Sequence, residues 1–245
     1  MAVELLKTGV PGLDQVLKGG LRRNSTILIT GAPGTGKTIL ALQFIYYGAK
    51  EYNENGIFIT TEENLEDIRQ FAKNLGMDIS SLEKKGRIIF VQKPLTTLRG
   101  GIASIQGLLD AIRKYKIKRV ALDSLIFFEY LYPRLDGNRM EFRRQVLMFM
   151  SKMKKAGITF LAVSERSITD FDRLVYDMMD FVFEGFIVLS RIRKGSYFER
   201  VITVAKIRGQ DHSLDVYPVS ITDDGFKVLF DQTPFSLVEK EETFK

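Results

Sequence analysis

Short apolar runs alternate with amphipathic helical patterns through the first two thirds of the chain. The apolar runs are rich in branched residues, which predicts strands buried on both faces, at residues 26–30, 56–60, 87–91, 119–122 and 158–163. Helices are predicted where apolar residues recur on one face, at 65–75, 105–112 and 142–153. Because strands alternate with helices across short connections, the pattern predicts an α/β fold with a mostly parallel, twisted sheet and helices on both faces.

Terminating signals support two of these helices. Gly76 is predicted to end the first helix and Gly157 the third, because glycine accepts the left-handed conformation that follows many helices. Asn138, with Glu141 three residues later, is predicted to begin the third helix as a capping box.

After about residue 180 the alternation of strands and helices stops. Residues 181–193 and 197–208 flank Lys194-Gly195-Ser196 and are predicted to form an antiparallel hairpin. Shorter strands are predicted at 216–221 and 226–230, with Asp223-Asp224-Gly225 between them. We find no internal repeat and no low-complexity segment. A single domain is therefore predicted over residues 1–231, followed by a solvated tail at 232–245.

A glycine-rich motif lies between the first predicted strand and the apolar helix that follows it. It matches the pattern G-x-x-x-x-G-K-[ST] at every position, through Gly31, Ala32, Pro33, Gly34, Thr35, Gly36, Lys37 and Thr38. Glycines permit positive φ and let successive N–H groups converge on phosphate oxygens, and the helix adds its N-terminal dipole. In such a loop the lysine reaches the β- and γ-phosphates, and the threonine hydroxyl takes a Mg²⁺ position. The sequence therefore predicts binding of ATP or ADP with Mg²⁺.

Composition narrows the chemistry further. The 245 residues include no Cys, no Trp and a single His, and 36 Lys and Arg against 30 Asp and Glu give a formal charge of +6. The absence of Cys excludes disulfides, a thiol nucleophile and Cys-type zinc sites, and His212 alone excludes a multi-histidine metal cage within one chain. The basic balance fits polyanion partners, but it also fits the composition of heat-adapted proteins. No apolar run is long enough to span a membrane and no secretory signal is visible, so we expect a cytoplasmic protein.

Polar residues follow the predicted strands at the edge where a parallel sheet presents its ligands. Asp123 ends the run at 119–122 and is the candidate carboxylate for a Mg²⁺ held with Thr38, although a turn aspartate would look the same. Ser164 and Glu165 follow the run at 158–163 and reach the same edge, where they would sense the γ-phosphate.

Two adjacent glutamates, Glu62 and Glu63, follow the predicted strand at 56–60. Their mutual repulsion would raise the pKa of one of them, which suits a general base that deprotonates water. The competing interpretation is that they begin the next helix, where acids complement the helix dipole. Both can hold for different members of the pair.

Two cations lie near the end of the predicted hairpin. Lys206 and Arg208 are two positions apart on a strand, so their side chains should point the same way. Neighbouring cations repel each other unless an anion compensates them. From the residues alone, a solvated strand end and an anion-binding pair both remain open.

The ordered motifs resemble the KaiC-like ATPases of the RecA superfamily, in particular the single-domain archaeal versions of the cyanobacterial clock protein. The resemblance covers nearly the whole chain. It rests on the phosphate loop and on Gly9-Val10-Pro11-Gly12-Leu13-Asp14, Gly19-Gly20-Leu21, Thr61-Glu62-Glu63, Leu122-Asp123-Ser124, Ser164-Glu165-Arg166, Lys206-x-Arg208-Gly-x-x-His212 and Tyr217-Pro218-Val219-x-Ile221-Thr222.

This resemblance implies a RecA-type P-loop core in a homo-oligomeric ring, usually a hexamer, with ATP between neighbouring subunits. It implies that Glu62 and Glu63 are catalytic, together with Lys37 of the loop. Lys206, Arg208 and His212 would contact the phosphates of the adjacent subunit's nucleotide, which would answer their mutual repulsion. An arginine supplied in trans stabilises transition-state charge. We expect a slow regulatory or signalling ATPase with an unidentified client protein.

The chain also departs from the family pattern. The clock protein has two tandem ATPase halves, and the resemblance here covers one. An adjacent Ser-Thr pair is its autophosphorylation site, and the corresponding residues here are Leu174-Val175. Autokinase activity at that pair is therefore not expected. Thr169, in the retained segment Ser167-Ile168-Thr169-Asp170, is a candidate acceptor.

Other functions are also compatible with these motifs. A recombination-related, DNA-binding ATPase would use the arginines Arg134, Arg139, Arg143 and Arg144, although no aromatic–basic stacking platform is evident in the sequence. A nucleotide-gated binding module with negligible turnover is a further alternative. A small-molecule kinase is least favoured, because no lid-like arginine cluster can be identified.

Overall fold

The computed structural model describes residues 4–92, 105–128, 139–166, 178–235 and 237. Arg134, Asn138, residues 167–170 and residues 174–175 lie outside them. The elements in chain order are β1 (Leu5–Leu6), α1 (Leu13–Val16), β2 (Leu21–Arg22), β3 (Thr26–Gly31), α2 (Lys37–Glu51), β4 (Asn55–Thr60), α3 (Leu65–Asn74), α4 (Ile79–Lys84), β5 (Ile88–Gln92), α5 (Ile105–Lys114), β6 (Ile117–Asp123), α6 (Arg139–Lys155), β7 (Thr159–Glu165), a 3₁₀ helix (Met178–Phe181), β8 (Gly185–Lys194), β9 (Tyr197–Ile207), β10 (Val216–Thr222) and β11 (Gly225–Val228).

The main sheet has nine strands in the order β11-β10-β9-β8-β3-β7-β6-β4-β5. The strands from β8 to β5 in this order pair in parallel, and β9, β10 and β11 add an antiparallel extension at one side. β1 and β2 form a separate two-stranded sheet. The predicted α/β class, with a mostly parallel sheet and a C-terminal antiparallel hairpin, is confirmed.

Apolar residues of the sheet pack in two clusters, one on each face. In β3, Ile27 and Ile29 belong to one cluster and Leu28 to the other, because successive strand residues point to opposite faces. Helices α1 to α4 contribute to the first cluster, and α5 and α6 contribute to the second. None of the helices in the described part of the chain combines the length and apolar content needed to cross a membrane.

The start of the predicted hairpin differs from the sequence prediction. Phe181 was predicted to begin a strand, but it ends the 3₁₀ helix, and β8 begins only at Gly185. The carbonyl oxygens of Asp180, Phe181 and Phe183 accept hydrogen bonds from lysine and arginine side chains of β9 and the turn after it. These side chains occupy backbone groups that would otherwise pair along a sheet, so the strand starts later.

The sheet register decides which residues can meet. Gly31 at the end of β3 lies beside Glu165 of β7, and Thr60 of β4 lies beside Asp123 of β6. The carboxyl ends of these parallel strands therefore form one edge, called here the phosphate edge. β9 runs in the opposite direction, and its last residue, Ile207, pairs with Gly185, which in turn pairs with Ile27 near the start of β3. The end of β9 consequently lies at the opposite edge.

Candidate active site

The glycine-rich loop connects the end of β3 with the start of α2 at the phosphate edge. Gly34 and Gly36 have φ of 77° and 100°, in the left-handed region that favours glycine. A Cβ on Gly36 would lie 2.7 Å from Cδ1 of Ile221 and 2.9 Å from Cδ2 of Phe226, so a larger residue would have to displace these side chains. The Thr35 hydroxyl donates to the Ala32 carbonyl at 2.8 Å and closes the loop. The first turn of α2 points its free N–H groups toward the loop, which suits an anion.

Lys37 places a buried ammonium group inside this loop. Its side chain is 6% exposed, its Nζ donates to the Ala32 carbonyl at 3.0 Å, and the nearest Glu165 oxygen is 4.0 Å away. Burial lowers the pKa of Lys37, and the charges of Glu165, Asp123 and Glu62 partly oppose that effect. A buried cation with incomplete compensation is a natural partner for phosphate.

Thr38 and Asp123 form the oxygen-rich part of the site. The Thr38 hydroxyl donates to Oδ2 of Asp123 at 2.6 Å. Burial raises the pKa of Asp123, the hydrogen bond from Thr38 opposes this, and the nearby charge of Glu62 adds to it. Hydroxyl and carboxylate oxygens are ligands that Mg²⁺ accepts alongside water and phosphate, so these residues fit that ion. Among the described residues no cluster of three or more His, Asp or Glu side chains forms an all-protein metal site.

The glutamate pair lies beside Asp123, after the end of β4. The backbone N–H of Thr61 donates to the Asp123 carbonyl at 2.9 Å, which fixes the start of this segment. Oε1 of Glu62 accepts a hydrogen bond from the Ser124 hydroxyl at 2.9 Å. Partial desolvation of the Glu63 carboxyl raises its pKa, and the charges of Asp123 and Glu62 add to the effect. The two glutamates therefore differ: the Ser124 hydroxyl orients Glu62, whereas the surroundings of Glu63 raise its pKa.

The residues after β7 complete the phosphate edge. Ser164 pairs with Thr30 and Glu165 with Gly31 in the parallel register. The N–H of Arg166 donates to the Gly31 carbonyl at 3.1 Å, so the end of β7 is joined directly to the first residue of the loop. The structure thus brings Ser164 and Glu165 next to the loop.

Lys206, Arg208 and His212 are not at the phosphate edge of their own chain. Nζ of Lys206 donates to the carbonyl oxygens of Asp180 and Phe183 at 2.8 and 2.9 Å, and Nη2 of Arg208 donates to that of Phe181 at 3.1 Å. Lys206 is level with Leu28 in the sheet, three residues and about 10 Å before Gly31.

The two cations do point the same way, as predicted, and both reach the segment around the 3₁₀ helix. Burial lowers the pKa of Lys206, and the neighbouring Arg208 lowers it further. Nδ1 of His212 lies 2.8 Å from the Ser213 carbonyl, in the loop after β9. Lys206 and Arg208 therefore lie together at the opposite edge, and His212 lies in the loop that follows β9.

Two arginines beside the phosphate loop were not identified from the sequence. Arg191 and Arg200 pair across the β8–β9 hairpin, and Nε of Arg200 donates to the Gly34 carbonyl at 3.1 Å. Local pattern predicted the hairpin but not where its tip lies, because the position depends on the long-range pairing of β3 with β8. The signal that the sequence offers for these two residues is the number of arginines in the predicted hairpin.

Comparisons with known proteins identify the family of the chain. The family profile described as "ATPase: KaiC" matches residues 6–233. The circadian clock oscillator protein KaiC of Parathermosynechococcus lividus is 33% identical over 229 residues, which is 91% of this chain and 42% of that protein. The KaiC protein of Synechococcus elongatus is 30% identical over 235 residues, covering 93% of this chain and 44% of that protein.

A solved structure extends the comparison to the fold. The crystal structure of a KaiC-like protein from the hyperthermophilic archaeon Pyrococcus horikoshii aligns with a TM-score of 0.78 and 31% identity, covering 93% of this chain and 99% of that one. The chain thus spans less than half the length of the curated cyanobacterial relatives, but nearly all of the archaeal structure.

Proposed function

The chain belongs to the KaiC family of ATPases, and from this premise we propose that it binds ATP with Mg²⁺, hydrolyses it slowly and works as a regulatory ring. The observation that carries the proposal is the phosphate edge. There, a buried lysine, a Thr–Asp pair and two differentiated glutamates surround one glycine loop.

Each residue has a defined part in this proposal. The loop N–H groups and Lys37 would hold the phosphates, and Thr38 and Asp123 would hold Mg²⁺. When bound, the ion would neutralise part of the negative charge of the phosphates. Glu63, whose pKa is raised, would take a proton from the attacking water, because a base works best with a pKa nearer the working pH.

The neighbouring residues would orient these groups. Glu62, held by Ser124, would position the attacking water beside Glu63. Ser164 and Glu165 would contact the γ-phosphate side of the site, next to Lys37. Arg200, bound to the Gly34 carbonyl, would add positive charge at the rim of the loop.

A head-to-tail ring would bring the opposite edge of one chain to the phosphate edge of the next. Lys206 and Arg208 lie at the edge opposite their own loop and His212 follows them in the chain, and a heterologous interface is the arrangement that joins two different edges. We infer that these residues reach the neighbour's nucleotide, and that the ring is a hexamer as the family resemblance implies. Mass in solution with and without ATP–Mg²⁺ tests this: a single-chain mass under both conditions would contradict it.

The catalytic assignment is tested by Glu62→Gln/Glu63→Gln. Turnover should fall by about 10²- to 10⁴-fold, the range typical of a lost general base, while ATP binding is retained. Glu66→Gln is the matched control, because Glu66 lies in the first turn of α3 outside the site. Normal hydrolysis by the double variant would refute the assignment.

A specific observation favours single-stranded nucleic acid as a second candidate ligand. At the tip of the β8–β9 hairpin, Tyr197 is 78% and Phe198 65% exposed, and Arg191 and Arg193 lie on the neighbouring strand. Aromatic rings beside arginines can stack bases and bind phosphates. By contrast, Arg144, one of the arginines that the sequence offers for DNA binding, is paired with Glu141 at 2.7 and 2.8 Å.

Binding of single-stranded DNA that weakens steeply with salt, and that is lost in Tyr197→Ser/Phe198→Ser, would support this second candidate. A flat titration at low salt would exclude it.

A further inference from the structure

We propose that Arg166 and Asp180 are positioning residues that link the placement of Lys206 and Arg208 to the chain's own phosphate loop. The inference rests on the proposed function, in which these two cations act on the nucleotide of the neighbouring subunit. It adds a route by which one site in a ring influences the next.

Arg166 is attached to the phosphate edge at its backbone. Its N–H donates to the Gly31 carbonyl at 3.1 Å, and it directly follows Glu165, whose carboxylate is 4.0 Å from Nζ of Lys37. Its side chain extends along the sheet, with the guanidinium carbon 5.9 Å from the centre of the Phe186 ring. Phe186 pairs with Lys206. The side chain of Arg166 therefore spans from the loop toward the cation pair.

Asp180 receives this side chain. Its two carboxylate oxygens accept hydrogen bonds from Nη1 and Nη2 of Arg166 at 2.8 and 2.9 Å, in a bidentate arrangement. The Asp180 side chain is 1% exposed. Separating this buried, bidentate ion pair would cost free energy, so we expect the two residues to move together.

The same residue also holds the first cation. The main-chain carbonyl of Asp180 accepts a hydrogen bond from Nζ of Lys206 at 2.8 Å, and the next carbonyl, that of Phe181, accepts one from Arg208 at 3.1 Å. Asp180 is thus bound to Arg166 through its side chain and to Lys206 through its backbone. A displacement of Arg166 would be transmitted to both cations through the 3₁₀ helix.

The cations themselves remain suited to an external anion. The hydrogen-bond acceptors of Lys206 and Arg208 in the described part of the chain are neutral carbonyl oxygens. Carbonyls fix the direction of the two side chains without cancelling their formal charges. This is the arrangement expected when the function of the supporting segment is to aim the cations rather than to neutralise them.

The test is complementation in mixed rings, made by co-expressing two differently tagged variants and purifying assemblies that carry both tags. Glu62→Gln/Glu63→Gln serves as the reference that is defective in its own site, and Arg208→Ala as the reference that is defective toward its neighbour. In an equal mixture of these two, about a quarter of the interfaces combine intact halves, so turnover should return to about a quarter of the wild-type value.

Asp180→Asn is then paired with each reference. Alone it should lose turnover by about tenfold or more, because an asparagine cannot hold the guanidinium as an ion pair. With the Glu62→Gln/Glu63→Gln chain it should be restored to about a quarter, and with the Arg208→Ala chain it should not. Restoration by Arg208→Ala instead, or unchanged turnover of the single variant, would overturn the inference.

A milder variant, Arg166→Lys, tests the same inference if Asp180→Asn does not fold. Arg166→Lys keeps the charge but loses the bidentate geometry, and it should show the same complementation pattern with a loss of about threefold or more. Arg69→Lys is the matched control, since Arg69 makes a similar bidentate pair with Glu83 at 2.9 and 3.0 Å, and its turnover should not change. If the two reference chains fail to complement each other, the proposed action of Arg208 on the neighbour's nucleotide is refuted. That result concerns the proposed function and is distinct from a failure of the Arg166–Asp180 inference.

Discussion

Strand β6 carries a charged side chain near each end, and the two differ in burial and in partners. Arg119 lies near the start of the strand and is 0% exposed, whereas Asp123 ends it at the phosphate edge. The two side chains lie in the same strand, but they differ in exposure, since Asp123 is only partly buried, and in the partners that they contact. The difference separates a charge that is paired within the fold from one that, in the proposed function, would hold Mg²⁺.

Arg119 is completely paired within the chain. Nε and Nη2 contact Oε2 of Glu54 at 2.7 and 2.6 Å, and the remaining N–H groups reach the carbonyls of Lys7, Thr8 and Phe44 at 2.8, 3.3 and 2.9 Å. These contacts account for all five N–H groups of the guanidinium. Glu54 is compensated a second time by Arg23 at 2.6 Å. No capacity is left for another anion.

Asp123 is only partly compensated. It accepts one hydrogen bond from Thr38, and its pKa is raised because burial and the nearby charge of Glu62 outweigh that bond. Lys37, the nearest buried cation of the loop, likewise has a pKa lowered by burial. Perturbed pKa values that partners within the chain do not correct are typical of functional sites. The contrast along β6 thus predicts opposite responses to mutation at its two ends.

The largest effect is expected at the paired end. Arg119→Leu would leave Glu54 buried without its main partner, and the free energy of unfolding should fall by about 3–5 kcal/mol. Urea unfolding measures this. Arg113→Leu, which removes an exposed ion pair with Asp110, should change stability by less than about 1 kcal/mol. A small effect of Arg119→Leu would mean that its complete pairing does not stabilise the fold.

At the phosphate edge, by contrast, we expect a loss of ATP binding without a loss of stability. Lys37→Met removes charge-assisted bonds to phosphate, and ATP affinity should fall by about 10- to 100-fold while stability is not reduced. Lys50→Met, in the last turn of the same helix, is the control and should bind ATP normally. Titration with a fluorescent ATP analogue and urea unfolding give the two values. A destabilised variant that still binds ATP would reverse the distinction between the two ends.

The sequence predicts the position of Asp123 at one end of β6, but not the partners of Arg119 at the other end. Asp123 follows an apolar run and completes a motif, so its position at the sheet edge was predictable from local pattern. The partners of Arg119 come from three separate parts of the chain, residues 7–8, 44 and 54, and no local pattern brings them together. The pairing of Arg166 with Asp180 and the position of the hairpin tip were missed for the same reason. Long-range register decides them.

Asp123→Asn should separate stability from function in a single variant. Because its pKa is raised, ionised Asp123 destabilises the folded state at pH above that pKa, and the penalty disappears as pH falls below the unfolded value of about 3.9. The neutral variant should therefore gain about 0.5–2 kcal/mol near neutral pH in the absence of nucleotide, and lose turnover. Asp110→Asn, at an exposed position, should show no such gain. A loss of stability in Asp123→Asn would contradict the argument.

The smallest effect is a shift in the pH dependence of turnover. If Glu63 must be ionised to act as a base, turnover should decline on the acid side at a pH above the ordinary carboxyl value of 4.5, because desolvation and the charges of Asp123, Glu62 and Asp67 raise its pKa. Asp67→Asn removes the outermost of these charges without touching the site. Ionisation of Glu63 then becomes easier, and the acid limb should move to lower pH by a fraction of a unit.

Glu66→Gln separates this effect from a general change in charge. Glu66 is next to Asp67 in the same helix turn, but it is not among the groups that raise the pKa of Glu63. The shift should therefore occur in Asp67→Asn alone, and it should shrink as salt screens the exposed charge. Equal shifts in both variants would show that net charge, not the local field at Glu63, sets the acid limb. An unmoved limb in Asp67→Asn would argue for a different base.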